Sequence, residues 1–132
     1  MASDSHPAAD QRPVVLVVED VPLVRLFVRD ILQDWGFEAI DAPDAERAIE
    51  MITSSARVDL VLCDIVMPGQ MDGLALARWV RTNRPRLKVI LATGHSNHVN
   101  ITEDLCHEGP IIRKPFKRDE LERRVRVALA SG

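Results

Sequence analysis

Cysteine is scarce in this chain: 2 in 132 residues. Cys63 and Cys106 lie far apart, and Cys63 falls inside an apolar run. That argues against a disulfide framework and for two reduced thiols. No apolar run approaches the roughly 20 residues that a membrane-spanning helix needs. The opening residues, MASDSHPAADQRP, show no basic-then-apolar leader, so a cytoplasmic location is expected. Positive charge is not in excess: 17 Lys and Arg against 20 Asp and Glu leave a formal net charge of −3. The basic footprint of a nucleic-acid binder is therefore missing, and direct contact with nucleic acid or membrane is not expected. No glycine-rich phosphate loop follows the first apolar run, which counts against a nucleotide-binding doubly wound domain.

What is present is ordinary in bulk. Hydrophobic residues make up 46% and charged residues 28%, as in soluble globular domains. The length suffices for one core and not for two. Residues 1–13 are small, polar and proline-containing and read as a disordered tail; the domain is expected over 14–130. His6 within the tail reads as a bland polar residue rather than a metal ligand.

Apolar runs predict strands at Val14 to Val18, Glu38 to Ile40, Leu60 to Cys63, Leu87 to Ala92 and Ile111-Ile112. Helical periodicity fills the gaps. Pro22 suits a first helical turn. Leu23, Phe27, Ile31 and Trp35 then recur at four-residue spacing, widened by Val24, Val28 and Leu32, and Gly36 stops that helix. Pro43-Asp44 opens a second helix, with Ala45, Ala48, Ile49 and Ile52 on one face. Asp72 caps a third from about Leu74 to Thr82. Trp79 on it is out of phase with Leu76 and Val80, so it is expected to stand exposed. It is then an ordinary surface side chain or a contact for a partner or a second copy. A short helix is expected from Val99 to His107. A last one runs from Arg118 to about Ala130, with Asp119 and Glu120 favourable near its start. Strand and helix alternate five times with short connections, which predicts a parallel sheet covered on both faces.

In such a sheet the carboxyl ends of the strands carry the ligand site. Glu19-Asp20 follows the first strand, Asp64 ends the third, Thr93 ends the fourth and Lys114 follows the fifth. A charge is costly inside a core, so Asp64 is expected where its strand emerges. Three carboxylates, a hydroxyl and an amine converge if these strands are parallel neighbours. Taken singly, each has a bland reading: Glu19 and Asp20 as solvated charges at a helix start, Thr93 as a strand-end hydroxyl, Lys114 as an exposed cation. Their joint occurrence at successive strand ends is what points to a site.

The set Glu19-Asp20, Asp64 with Met67-Pro68 and Asp72-Gly73, Thr93-Gly94 and Lys114-Pro115-Phe116 resembles the receiver domain of two-component response regulators. The resemblance runs from about Val14 to Ala130. It implies an α/β fold: a flavodoxin-like, doubly wound, five-stranded parallel sheet in the order 2-1-3-4-5, with five helices. It implies that Asp64 accepts a phosphoryl group from a histidine kinase or a histidine phosphotransfer protein, in a reaction that needs Mg2+. Asp20 and Asp64 would ligate the ion directly, Glu19 mainly through water, and the backbone carbonyl of Val66 would add an oxygen. Lys114 would meet the incoming phosphoryl oxygens as a point charge, and the Thr93 hydroxyl would bond one of them. Lys114-Pro115 would be a cis peptide. The implied protein is no enzyme beyond catalysing its own aspartyl phosphorylation and dephosphorylation. The chain ends shortly after its last predicted helix, so a stand-alone receiver is expected. It would signal by docking an output protein, with a homodimer as one form of contact, or serve as a phosphate sink.

The chain departs from the family pattern in four places. The loop after Asp64 carries an extra residue in Gly69-Gln70. The stretch between Thr93 and Lys114 is about one residue short. The positions that flank the attacking water are Val66 and His95. Ile111 stands where the family often has a Tyr or Phe switch ring, which puts the usual coupling of Thr to an aromatic in question. A competing reading is a haloacid-dehalogenase-type phosphatase, which also uses a strand-end Asp, Mg2+, Thr and Lys. It requires a second Asp two residues after the nucleophile, where this chain has Val66, and a cap domain for which the chain is too short.

Overall fold

The computed structural model describes residues 12–54, 57–67, 69, 71–93, 111–113 and 117–130. The expected tail lies outside the described residues up to position 11, as does the helix expected at 99–107. In chain order the elements are β1 (Val14–Val18), α1 (Pro22–Asp34), β2 (Glu38–Ala42), α2 (Ala45–Thr53), β3 (Leu60–Asp64), α3 (Gly73–Asn83), β4 (Lys88–Thr93), β5 (Ile111–Arg113) and a helix at Arg118–Ala130, here α4. The strands pair in parallel in the order β2-β1-β3-β4-β5. Of the expected strands, β2 differs most: it runs past Ile40 to Ala42.

Successive side chains of a strand point to opposite faces, and here both faces are apolar. Leu16, Val18, Val61, Cys63, Val89 and Leu91 meet Ala45, Ala48 and Ile52 of α2 and Leu76, Ala77 and Val80 of α3. Val15, Val17, Leu60, Leu62, Ile90, Ala92 and Ile112 meet Val28 and Leu32 of α1 and Leu121, Val125 and Ala128 of α4. The sheet is thus covered on both sides, which is why its central strands read as unbroken apolar runs.

Local chemistry sets the helix ends. Pro22 stands at the start of α1, whose N-cap Val21 makes no side-chain cap bond. Asp44 caps α2 by accepting from the Arg47 N–H, and Asp72 caps α3 by accepting from the Ala75 N–H. At the other end of α1 the Gly36 N–H bonds the Gln33 carbonyl, and the Phe37 N–H bonds the Leu32 carbonyl. Gly36 has φ +92°. This is the paired-bond left-handed C-cap that glycine favours, with Phe37 and Leu32 both buried in one core.

Two expectations are corrected. The α1 stripe is only half used. Val28, Ile31 and Leu32 are buried, whereas Leu23 and Phe27 are 79% and 59% exposed. Four-residue spacing drifts around a helix, and at about 100° per residue Leu23 and Phe27 lie to the side of the face that buries Val28 and Leu32. Trp79 is not a fully exposed side chain: it is half-buried and packs against the core under α3. A ring that size reaches the core margin even from a flanking position.

Gly36→Ala should lower stability by about 1–2 kcal/mol, the cost of holding an L-residue in the left-handed region. Nothing lies within 4 Å of where its Cβ would sit, so no clash contributes. Urea unfolding should show a lower midpoint with an unchanged slope; an unchanged midpoint would refute the account.

Candidate functional site

Strand register brings the acids together. Val18 of β1 is level with Cys63 of β3, so the next residues, Glu19 and Asp64, leave adjacent strands side by side. Asp20 follows at once. One carboxylate oxygen from each of Glu19, Asp20 and Asp64 lies within 4.8 Å of the others. Glu19 is buried and Asp64 half-buried. At an effective dielectric of about 20, like charges at that spacing repel by about 3 kcal/mol per pair, less where water reaches them. Hard carboxylate oxygens with no His or Cys among them form a donor set that suits Mg2+.

Two of the three acids, Glu19 and Asp64, are aimed by main-chain bonds. The Glu19 N–H continues the β1–β2 pairing by donating to the Ala42 carbonyl at 3.1 Å. The Glu19 carboxylate accepts from the Val21 N–H at 3.2 Å, a bond that favours an anion close to the start of α1. Asp64 Oδ1 accepts from the Val66 N–H at 3.3 Å. Ile65 carries the β3–β4 pairing one step further by donating to the Ala92 carbonyl at 3.0 Å. The buried thiol of Cys63 donates to the Asp64 carbonyl at 3.2 Å.

Thr93 ends the backbone of β4 and is level with Arg113 of β5. Ala92, just before it, is level with Asp64. Lys114, Pro115 and His95 lie outside the described residues. Glu19, Asp20 and Asp64 of the expected set therefore stand together, Val66 meets Asp64 through its N–H, and the backbone of Thr93 ends on the neighbouring strand. Ile111 begins β5, level with Leu91.

Two features were not read from the sequence. Arg25 of α1 donates from Nε to Asp41 of β2 at 2.8 Å and from Nη1 to the Glu19 carbonyl at 3.0 Å. The signal was there in a charged residue within strand β2 and in Arg25 and Arg29 at helical spacing. The second is the fit of Gly73. Its N–H bonds the Ile65 carbonyl at 2.9 Å. A Cβ on it would meet the Asp64 carbonyl oxygen and lie 2.7 Å from Ile65 Cα. The sequence offers Gly73 only as the partner of Asp72 in a motif, whereas the structure shows that it lets α3 start against the backbone that carries Asp64.

Volume alone would mislocate the site. A cavity of about 500 Å³ opens at the other end of the sheet, lined by Ile52, Val58, Asn83, Arg84, Pro85, Arg86, Leu87 and Asp59. Asp59, its one acid, is held by the Val14 N–H and by Arg57.

Comparison with known proteins agrees with this geometry. The sequence model of the response regulator receiver domain matches residues 15–126. The chain belongs to that family. It is 36% identical to the transcriptional regulatory protein AruR of Pseudomonas aeruginosa, over 91% of this chain and 53% of AruR. The receiver domain of NtrX from Brucella abortus superposes with a TM-score of 0.81 at 35% identity, over 89% of this chain and 99% of that one. The response regulator TrrA from Thermotoga maritima, solved in complex with Mg2+-BeF, superposes with a TM-score of 0.79 at 32% identity, over 88% and 98%. The chain spans about half or less of the length of the curated relatives it matches. Among the described residues no helix is long and apolar enough to cross a membrane.

Gly73→Ala should cost about 1–3 kcal/mol by overpacking. Because the added methyl meets the Asp64–Ile65 backbone, amide chemical shifts should move most at residues 63 to 66. Shifts confined to α3 would show that the helix yields and the acid does not.

Proposed function

We propose that this receiver domain accepts a phosphoryl group on Asp64 from a phosphohistidine of a histidine kinase or phosphotransfer protein. The observation that supports it best is the convergence of Glu19, Asp20 and Asp64 within 4.8 Å at adjoining strand ends in a chain of this family. A carboxylate oxygen of Asp64 attacks phosphorus, the P–N bond to the donor imidazole breaks, and an acyl phosphate forms. Mg2+, when bound, supplies the countercharge that lets an anion approach a phosphoryl group. Asp20 and Asp64 would hold it directly, Glu19 mainly through water, and the Val66 carbonyl would add an oxygen. Lys114 would contact the phosphoryl oxygens and the Thr93 hydroxyl would donate to one of them. Positioning and charge neutralisation are what phosphoryl transfer asks of a protein. That TrrA was solved in complex with Mg2+-BeF supports Mg2+ as the ion this site takes.

The reading includes a doubly wound fold completed by a fifth helix between β4 and β5. It includes no activity beyond the domain's own phosphorylation and dephosphorylation. Output passes through protein contacts of the receiver. The dehalogenase-type phosphatase finds no support: Val66 offers no proton-transfer group two residues after Asp64, and the family match is to receivers.

Asp64→Asn should abolish phosphorylation and keep the fold, since the amide is nearly isosteric and a far weaker nucleophile. Intact mass after incubation with acetyl phosphate and Mg2+ checks this; a gain of one phosphoryl group at the wild-type rate would remove Asp64 from the role. Asp20→Asn should raise the Mg2+ concentration for half-maximal phosphorylation, because one hard anionic oxygen is lost. An unchanged half-saturation point would take Asp20 out of the ligand set.

A further inference from the structure

We propose that Arg25 is a positioning residue for the metal-binding acids. It fixes the peptide plane that joins Glu19 to Asp20. The inference rests on the Mg2+ reading above and deepens it.

Arg25 is 18% exposed at its side chain and Asp41 21%. The guanidinium donates from one edge to Asp41 Oδ2 and from another to the Glu19 carbonyl. The second oxygen of Asp41 accepts from Arg29 Nη1 at 3.0 Å, so neither Asp41 nor Arg25 is free to turn. The Glu19 carbonyl belongs to the planar peptide that leads into Asp20. Holding that oxygen sets the tilt of the plane and hence the direction in which the Asp20 side chain leaves the backbone. The Glu19 N–H is already tied to β2. Both sides of Glu19 are thus referenced to β2, one by strand pairing and the other through Arg25 and Asp41. A planar fork can hold two acceptors in fixed directions, which a lysine ammonium cannot do in the same way.

A plain stabilising ion pair would predict a different result, and the sign separates the two. Arg25→Gln removes a positive charge near an acidic metal site. Electrostatics alone would then tighten Mg2+ binding, whereas lost positioning weakens it. Loss of an orienting partner typically costs 10–100-fold in metal affinity, and about tenfold is expected here. Arg25→Lys keeps the charge and loses the fork, so it too should weaken binding, without the electrostatic gain that offsets part of the loss in Arg25→Gln.

The test is calorimetric titration of wild type, Arg25→Gln and Arg25→Lys with Mg2+, alongside urea unfolding of each and acetyl-phosphate phosphorylation as a function of Mg2+. The inference expects weaker Mg2+ binding and a raised half-saturation point, with the rate at saturating Mg2+ retained. Arg25→Gln binding Mg2+ as tightly as wild type, or more tightly, would overturn it while leaving the phosphoacceptor reading in place. If Arg25→Gln does not fold, wild-type affinity in Arg25→Lys overturns it instead. A wild-type chain that bound no Mg2+ would overturn both readings together.

Discussion

Parallel pairing of β1 with β3 sets two carboxylates, Glu19 and Asp64, on adjoining strand ends, and Asp20 joins them within 4.8 Å. Left to themselves these anions repel, and Glu19 is buried as well. The rest of the fold has to hold that arrangement against its own electrostatics. Both apolar layers contribute, because the strands that carry the acids are clamped between helices on either face. A local rule is broken at one place while every level around it remains consistent, and that is where function is expected in a natural sequence.

A sheet buried on both faces has a register problem. When only one face is apolar, a one-residue slip turns the core outward and is forbidden. Here a slip would exchange one apolar face for the other. Polar ties at the strand ends supply what the hydrophobic pattern cannot. At the amino end, Asp59 accepts from the Val14 N–H through its carboxylate and returns its own N–H to the Val14 carbonyl. At the carboxyl end, Glu19 is bonded to Ala42, Ile65 to Ala92 and Gly73 to Ile65. The Asp59–Val14 pair is the tie that joins β1 to β3 and so sets Glu19 beside Asp64, while the carboxyl-end bonds of Glu19 and Ile65 hold each of those strands to its outer neighbour.

Much of this was legible in the sequence. β-branched runs mark the strands, Asp44 and Asp72 mark helix starts, and Gly36 marks a helix end, because each rests on a local rule. The acids were legible because a charge closing an apolar run is rare. What was not legible depended on tertiary placement. Leu23 and Phe27 continue the four-residue spacing of Ile31, yet the spacing alone does not say which side of the drifting stripe meets the sheet. Trp79 was out of phase by angle, but the reach of its ring decided its burial. Lys114 and the helix expected at 99–107 lie outside the described residues, so they do not enter this comparison.

The features that escaped the sequence share a physical cause. Arg25 acts on the Glu19 carbonyl, and Gly73 acts against the backbone of Asp64 and Ile65. A main-chain oxygen has no letter of its own, so a motif shows which residues carry the chemistry and not which ones aim them. Arg25 approaches from the β2 side and Gly73 from the α3 side, and the acids stand between two supports that differ in kind. One is a charged fork that could be lengthened, shortened or neutralised by substitution. The other is an absence of side chain, for which only glycine serves without a shift of the backbone. Two receivers with the same acids can therefore differ in how firmly those acids are held. The difference would sit at positions such as Arg25 and Asp41, where a change of residue leaves every reacting group in place.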